Sequence, residues 1–225
     1  MKKQLYRAGV ALAAMLAVAG TAAAEGEWSG NVALGTDYVW RGVSQSNEDM
    51  AISGGFDYAN GIFYAGTWAS NVDFEDGADD TNVELDFYAG LASEFANGVT
   101  WDVGVIYYAY PDADDSDYDF VEIKGALGYE FASGLGVGGE VYWDPDNENI
   151  YYQATAGYSF TDSFSMDGSV GNYDYDGGGD YTNWSLGGTY STPVGIDIDV
   201  RYWDTDIDNT GIADERVVLT FSKSL

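Results

Sequence analysis

The chain has 225 residues, with 38 acidic side chains against 8 Lys and Arg and with neither cysteine nor histidine. A net charge of -30 argues against a nucleic-acid partner, and the missing residue types exclude a disulfide-dependent core, His-based triads and most zinc sites. Such acidity with few aromatics would read as disorder, but 7 Trp, 19 Tyr and 10 Phe require an ordered scaffold.

Residues 1–24 read as a cleaved secretory signal peptide. Lys2, Lys3 and Arg7 form the basic start, Ala8 to Gly20 is apolar, and Ala22-Ala23-Ala24 is a small-x-small cleavage site before Glu25. The remaining domain, 25–225, keeps 5 basic residues against 38 acidic ones, a charge of about -33. It contains no run of the roughly 20 apolar residues that a spanning helix needs.

A period of two repeats instead. Trp28, Gly30, Val32, Leu34, Thr36, Tyr38 and Trp40 form one face of a first strand, and Ser29, Asn31, Ala33, Gly35, Asp37, Val39 and Arg41 the other. Met50, Ile52, Phe56 and Tyr58 then oppose Ala51, Ser53 and Asp57. Ile62, Tyr64 and Trp68 oppose Ala65, Thr67 and Asn71, with Phe63 out of phase. Val83 to Leu91 alternates with Glu84, Asp86 and Tyr88; Val99 to Tyr107 with Asp102 and Gly104; Val121 to Phe131 with Glu122, Lys124 and Glu130. Leu135, Val137, Val141 and Trp143 oppose Glu140 and Tyr142; Ile150, Tyr152, Tyr158 and Phe160 oppose Gln153 and Thr155; Phe164, Met166 and Val170 oppose Asp167 and Ser169. Trp184, Leu186 and Tyr190 flank Asn183 and Ser185; Val194 to Tyr202 alternates with Asp197, Asp199 and Arg201; Val217, Leu219 and Phe221 close against Arg216 and Val218.

These twelve segments predict an all-β fold, a closed antiparallel up-and-down transmembrane β-barrel. The connectors support it. Those after odd-numbered segments are acidic, around Asn47-Glu48-Asp49, Asp73 to Asp80, Pro111 to Asp117, Asp144 to Asn149, Asp174 to Asp180 and Asp204 to Glu215. Those after even-numbered segments are tight turns such as Ala59-Asn60-Gly61 and Ala132-Ser133-Gly134. With a periplasmic amino terminus, the acidic connectors face outward, as in outer-membrane barrels. A soluble sandwich would share the alternation but bury its apolar faces.

The run from Trp28 to Ser46, with its element Tyr38-x-Trp40-Arg41-Gly42-x-Ser44-Gln45-Ser46, resembles the amino-terminal signature of the TorF family, proteobacterial outer-membrane barrels assigned as porins. The resemblance implies the barrel fold, an integral outer-membrane location and passive transport. One departure is the carboxyl end, Phe221-Ser222-Lys223-Ser224-Leu225, where a terminal aromatic is usual; Leu225 keeps an apolar end on the face of Phe221.

Alternation assigns eleven acids to the inner face: Asp37, Asp57, Glu84, Asp86, Asp102, Glu122, Glu130, Glu140, Asp167, Asp197 and Asp199. Against them stand Arg41, Lys124, Arg201 and Arg216, which either neutralise neighbouring acids or guide a solute. A wet, acid-biased lumen favours cations. Rings at strand ends, namely Trp28, Tyr38, Trp40, Tyr58, Trp68, Tyr107, Tyr129, Trp143, Tyr158, Phe160, Tyr190 and Tyr202, fit membrane girdles better than sugar platforms.

Asp204, Asp206, Asp208, Asp214 and Glu215 have calcium-like spacing, but Asn209 replaces the required Gly, so no metal site is assigned. The acidic outer loops could associate weakly with divalent cations. No cofactor is expected, and no nucleophile stands beside a base, which disfavours an enzyme. The expected partners are outer-membrane lipids, lipopolysaccharide and small hydrophilic solutes or cations. The leading function is a cation-leaning porin; the alternative is a non-conducting structural or adhesion barrel.

Overall fold

The computed structural model describes residues 26–74, 81–113, 118–208 and 210–225; the expected leader lies outside them. Alternating Val, Leu, Ile and aromatic residues favour extended chain, and the described residues form fourteen strands. These are β1 (Glu27–Gly35), β2 (Val39–Trp40), β3 (Val43–Ser44), β4 (Ala51–Asn60), β5 (Phe63–Asn71), β6 (Val83–Glu94), β7 (Val99–Ala109) and β8 (Phe120–Glu130). They continue with β9 (Leu135–Asp144), β10 (Asn149–Thr161), β11 (Phe164–Asp174), β12 (Asp180–Ser191), β13 (Asp197–Thr205) and β14 (Arg216–Ser224).

Twelve of them, β1 and β4 to β14, form a closed barrel in which each strand pairs antiparallel with its sequence neighbours. Closure joins β1 to β14 from Asn31 opposite Ser224 to Gly35 opposite Thr220. The Leu225 amide donates to the Gly30 carbonyl at 2.8 Å, so the unusual carboxyl end is still tied to the first strand. Closure satisfies every strand edge, which hydrocarbon requires.

Burial is inverted relative to a soluble protein. Ile52, Phe56, Val103, Leu127, Val170, Leu186 and Val217 are exposed on the outer wall, whereas Glu84, Asp102, Glu122, Lys124 and Asn183 are buried inside. That inversion rejects the soluble alternative and fits a barrel embedded in an outer membrane. Trp28, Tyr58, Tyr129, Tyr158, Phe160 and Tyr190 lie near the short-turn end of their strands and Tyr107, Trp143 and Tyr202 near the other. The Trp28 and Tyr58 rings pack at 4.9 Å across the β1–β4 pair.

Two expectations need correction. The first strand does not run to Arg41: β1 stops at Gly35, and Thr36 to Met50 carries a separate two-stranded hairpin, β2–β3. On β5 the faces are reversed. Trp68 lies opposite Asp86 and Tyr64 opposite Gly90, and both rings turn inward, Tyr64 to bond Asp102 and Trp68 to meet Tyr38. Both faces of this strand are uncharged, so alternation could not tell inside from outside; the misfit of Phe63 marked the true phase.

Candidate functional site

The barrel interior is occupied at the long-connector end by the β2–β3 hairpin, which pairs Val39 with Ser44 and Trp40 with Val43. Its two-residue turn is Arg41-Gly42, with φ of 52° and 87°. Positive φ at both positions is the geometry that matches strand twist in a tight hairpin. Gly42 is needed twice over, because a Cβ there would stand 2.8 Å from Asn183 Cβ on the β12 wall.

Each residue type of the Tyr-x-Trp-Arg-Gly-x-Ser-Gln-Ser element has a place in this insertion. Arg41, 4 % exposed, donates from Nη1 and Nη2 to the two carboxylate oxygens of Glu122, both at 2.7 Å. Its guanidinium carbon lies 4.1 Å from the ring centroids of Trp40 and Tyr151 and 5.0 and 5.1 Å from those of Tyr142 and Tyr173. Desolvation opposes this charge, but the facing Glu122 carboxylate more than offsets it, so Arg41 ends above its ordinary pKa. The Tyr181 hydroxyl donates to the Arg41 carbonyl at 3.2 Å.

At the base of the hairpin, Asp37 accepts the hydroxyls of Ser44 at 2.6 Å and Ser46 at 2.9 Å, and Nη1 of Arg216 at 3.0 Å. The Gln45 amide donates to the Tyr38 carbonyl at 2.6 Å. Tyr38 Oη donates to Glu84 at 2.7 Å. Burial, then the Glu84 and Asp86 charges, push this phenol well above its usual pKa and keep it a neutral donor. Tyr38 and Trp40 are therefore lumen residues, not outer-face rings; Trp40 packs edge-on against Tyr108, Phe120 and Tyr173.

Toward the short-turn end lie two further ion-paired groups. Lys124 binds Asp102 at 3.1 Å, and Asp102 also accepts the Tyr64 hydroxyl at 2.8 Å. Arg201 makes two bonds to Asp167, at 2.7 and 2.8 Å, and reaches Asp199, which Thr189 also serves. Its guanidinium lies over Gly187, where a Cβ would come within 2.6 Å of Cζ.

All four inward basic residues are thus committed to acids. Among the described residues, Asp57, Glu84, Asp86, Glu140 and Asp197 have no basic partner. Tyrosine hydroxyls serve three of them: Tyr88 for Asp57 at 2.5 Å, Tyr142 for Glu140 at 2.6 Å, and both Tyr38 and Tyr110 for Glu84. Asp197 is half-buried at the start of β13, and Glu130 is exposed at the end of β8. Sequence reading did not place Tyr108, Tyr110, Tyr151, Tyr173 and Tyr181, which are buried among these charges. The doublets Tyr107-Tyr108 and Tyr151-Tyr152 were the available signal, since adjacent strand residues must face opposite ways.

A family model described as bacterial protein of unknown function (Gcw_chp) matches residues 19–224, spanning every strand. The chain belongs to this family. No curated protein matches this Gcw_chp chain. Among solved structures, the KdgM porin, determined in complex with disordered oligogalacturonate, aligns with TM-score 0.64 at 7 % identity, covering 88 % of this chain and 99 % of that one. The NanC porin aligns with TM-score 0.58 at 11 % identity over 87 % and 97 %. An outer membrane channel from Pseudomonas putida F1 aligns with TM-score 0.56 at 12 % identity over 88 % and 95 %. The Gcw_chp chain therefore has a porin-type barrel fold.

In the outer connectors, Asp206 accepts the Thr182 amide at 2.7 Å, and Asp204 accepts the Tyr202 hydroxyl at 2.8 Å. Among the described residues no group of three or more acids is arranged to hold a metal ion.

Proposed function

We propose that this protein is a porin of TorF type, exported by way of the leader 1–24, that passes small hydrophilic solutes passively across the outer membrane with preference for cations. The observation that carries this reading is the acid excess: the inner wall keeps Asp57, Glu84, Asp86, Glu140 and Asp197 without a basic partner. Fixed negative charge in a narrow lumen raises the local concentration of cations and repels anions. The KdgM porin's oligogalacturonate, a chain of uronic acids, would meet net repulsion here. Outward rings from Trp28 to Tyr202 suit contact with lipid and lipopolysaccharide headgroups.

The test is the reversal potential of the purified protein in a planar bilayer across a potassium chloride gradient. A cation-selective sign is expected; anion selectivity overturns the reading. One observation favours the second reading, a closed structural or adhesion barrel whose acidic connectors bind divalent cations: the hairpin latched by Arg41 and Glu122 stands in the lumen. A barrel that passes no current, even with that latch removed, decides for it.

A further inference from the structure

Asp86 differs from every other acid of the inner wall. It is 7 % exposed, its Oδ1 is fully enclosed without a hydrogen-bond partner, and among the described residues no Lys or Arg pairs with it. The charged groups acting on it are Glu84, two residues away on β6, and Glu122 on β8, both of the same sign. The terminal nitrogens of Arg41 are held by Glu122, its Nε bonds no acid among the described residues, and Lys124 is held by Asp102. An unpaired carboxylate at this depth is costly, so the group is completed either by a proton or by a cation that displaces it.

The surroundings narrow the choice of cation. Trp68 lies directly across from Asp86 on β5, Tyr108 directly across on β7, and Tyr88 two residues along β6, all on the inward face. The Trp68 ring is held edge-on to Tyr38 of the inner hairpin at 5.3 Å. Glu84 is already saturated by two phenols and Glu122 by Arg41 and Tyr108. The oxygen-rich shell that a metal ion needs is therefore absent among the described residues. One buried carboxyl without a basic partner, with aromatic residues directly across from it on both neighbouring strands, suits an organic ammonium, whose N–H groups would bond the carboxylate and whose charge and carbon arm would lie against the rings.

We propose that Asp86, with Trp68 and Tyr108, forms a binding site for organic ammonium ions inside the lumen, making cationic amines the solute class of the channel. The proposal rests on the cation-leaning reading above and names its substrate class. It is tested by calorimetry of the purified full-length barrel in detergent, with n-butylammonium as probe and n-butanol and potassium chloride as controls. Butylammonium binds saturably and butanol does not. Asp86→Asn weakens butylammonium at least about tenfold, Trp68→Leu weakens it while keeping the carboxylate, and Asp162→Asn, at an exposed acid in the short turn between β10 and β11, leaves it unchanged.

Butylammonium binding that survives Asp86→Asn, or that potassium displaces at equal concentration, overturns the site. Heat-modifiable gel mobility verifies that each variant is a folded barrel. Calorimetry does not require current, so the two readings fail separately. Cation selectivity without butylammonium binding removes the site and keeps the channel; binding by a barrel that never conducts keeps the site and removes the channel.

Discussion

Replacing Arg41 by Ala removes the group around which the inner hairpin is organised. Glu122 is 1 % exposed and takes two bonds from Arg41; with the partner gone it keeps only the Tyr108 hydroxyl at 3.1 Å. Removing one member of a buried pair typically costs about 3–5 kcal/mol, because the survivor is left charged and unpaired. The four surrounding rings add to the loss but share one cation, so their contributions of about 0.5–2 kcal/mol are not summed. The remaining side-chain anchors to the wall at charged groups, Tyr38 to Glu84 and Asp37 to Arg216, are charge-assisted hydrogen bonds worth about 1.5–3 kcal/mol each. The hairpin of Arg41→Ala therefore leaves the lumen for a measurable fraction of the time. Single-channel recordings in a planar bilayer should show larger conductance steps than wild type, and urea unfolding should shift by the stated amount. Adding Glu122→Leu to Arg41→Ala should recover much of the stability, since no charge is then orphaned, but not the small conductance. Gly42→Val should act in the same direction through backbone strain and collision with Asn183. The reasoning is refuted if Arg41→Ala has wild-type conductance and an unshifted unfolding midpoint.

Three further outcomes follow from the geometry. Lys124→Met leaves Asp102, 1 % exposed, with the Tyr64 hydroxyl alone and should cost roughly 3 kcal/mol in urea unfolding; Lys124→Met with Asp102→Leu should cost less. Val105→Arg, near the middle of β7 on the exposed outer wall, should destabilise the lipid-inserted barrel by about 2–4 kcal/mol, read from folding into liposomes; an effect no larger than that of Trp28→Arg at the strand start would contradict a membrane-facing wall there. Tyr38 titrates above its unfolded value, so its contribution is complete below about pH 10 and is lost as pH rises beyond that. Stability measured from pH 9 to 12 should fall less steeply in Tyr38→Phe than in wild type, and parallel curves would contradict this.

The sequence by itself determined the class of the fold. Strand period, turn residues and the alternation of acidic and short connectors are local properties, so twelve strands and their antiparallel order were legible one segment at a time. Charge parity also placed Glu84, Asp86, Asp102, Glu122, Lys124 and Arg201 on the inner wall, because a charge on the lipid side would be prohibitive. Local reading could not place segments whose two faces are both tolerable in either environment. β5, with Tyr64 and Trp68 against Ala65 and Thr67, was assigned the wrong way round for that reason.

The inner hairpin was decided only by tertiary structure. Thr36 to Arg41 alternates as well as any strand, yet Arg41 bonds Glu122 81 residues away and Tyr38 bonds Glu84 46 residues away. Asp37 meets Arg216 across 179 residues, on the strand that closes the barrel. Only the closed barrel brings those partners around one point, and their combined attraction outweighs the local preference of the segment to continue as strand. The absence of a base beside Asp86 is likewise a property of the assembled lumen, since it depends on where Arg41 and Lys124 have already been spent.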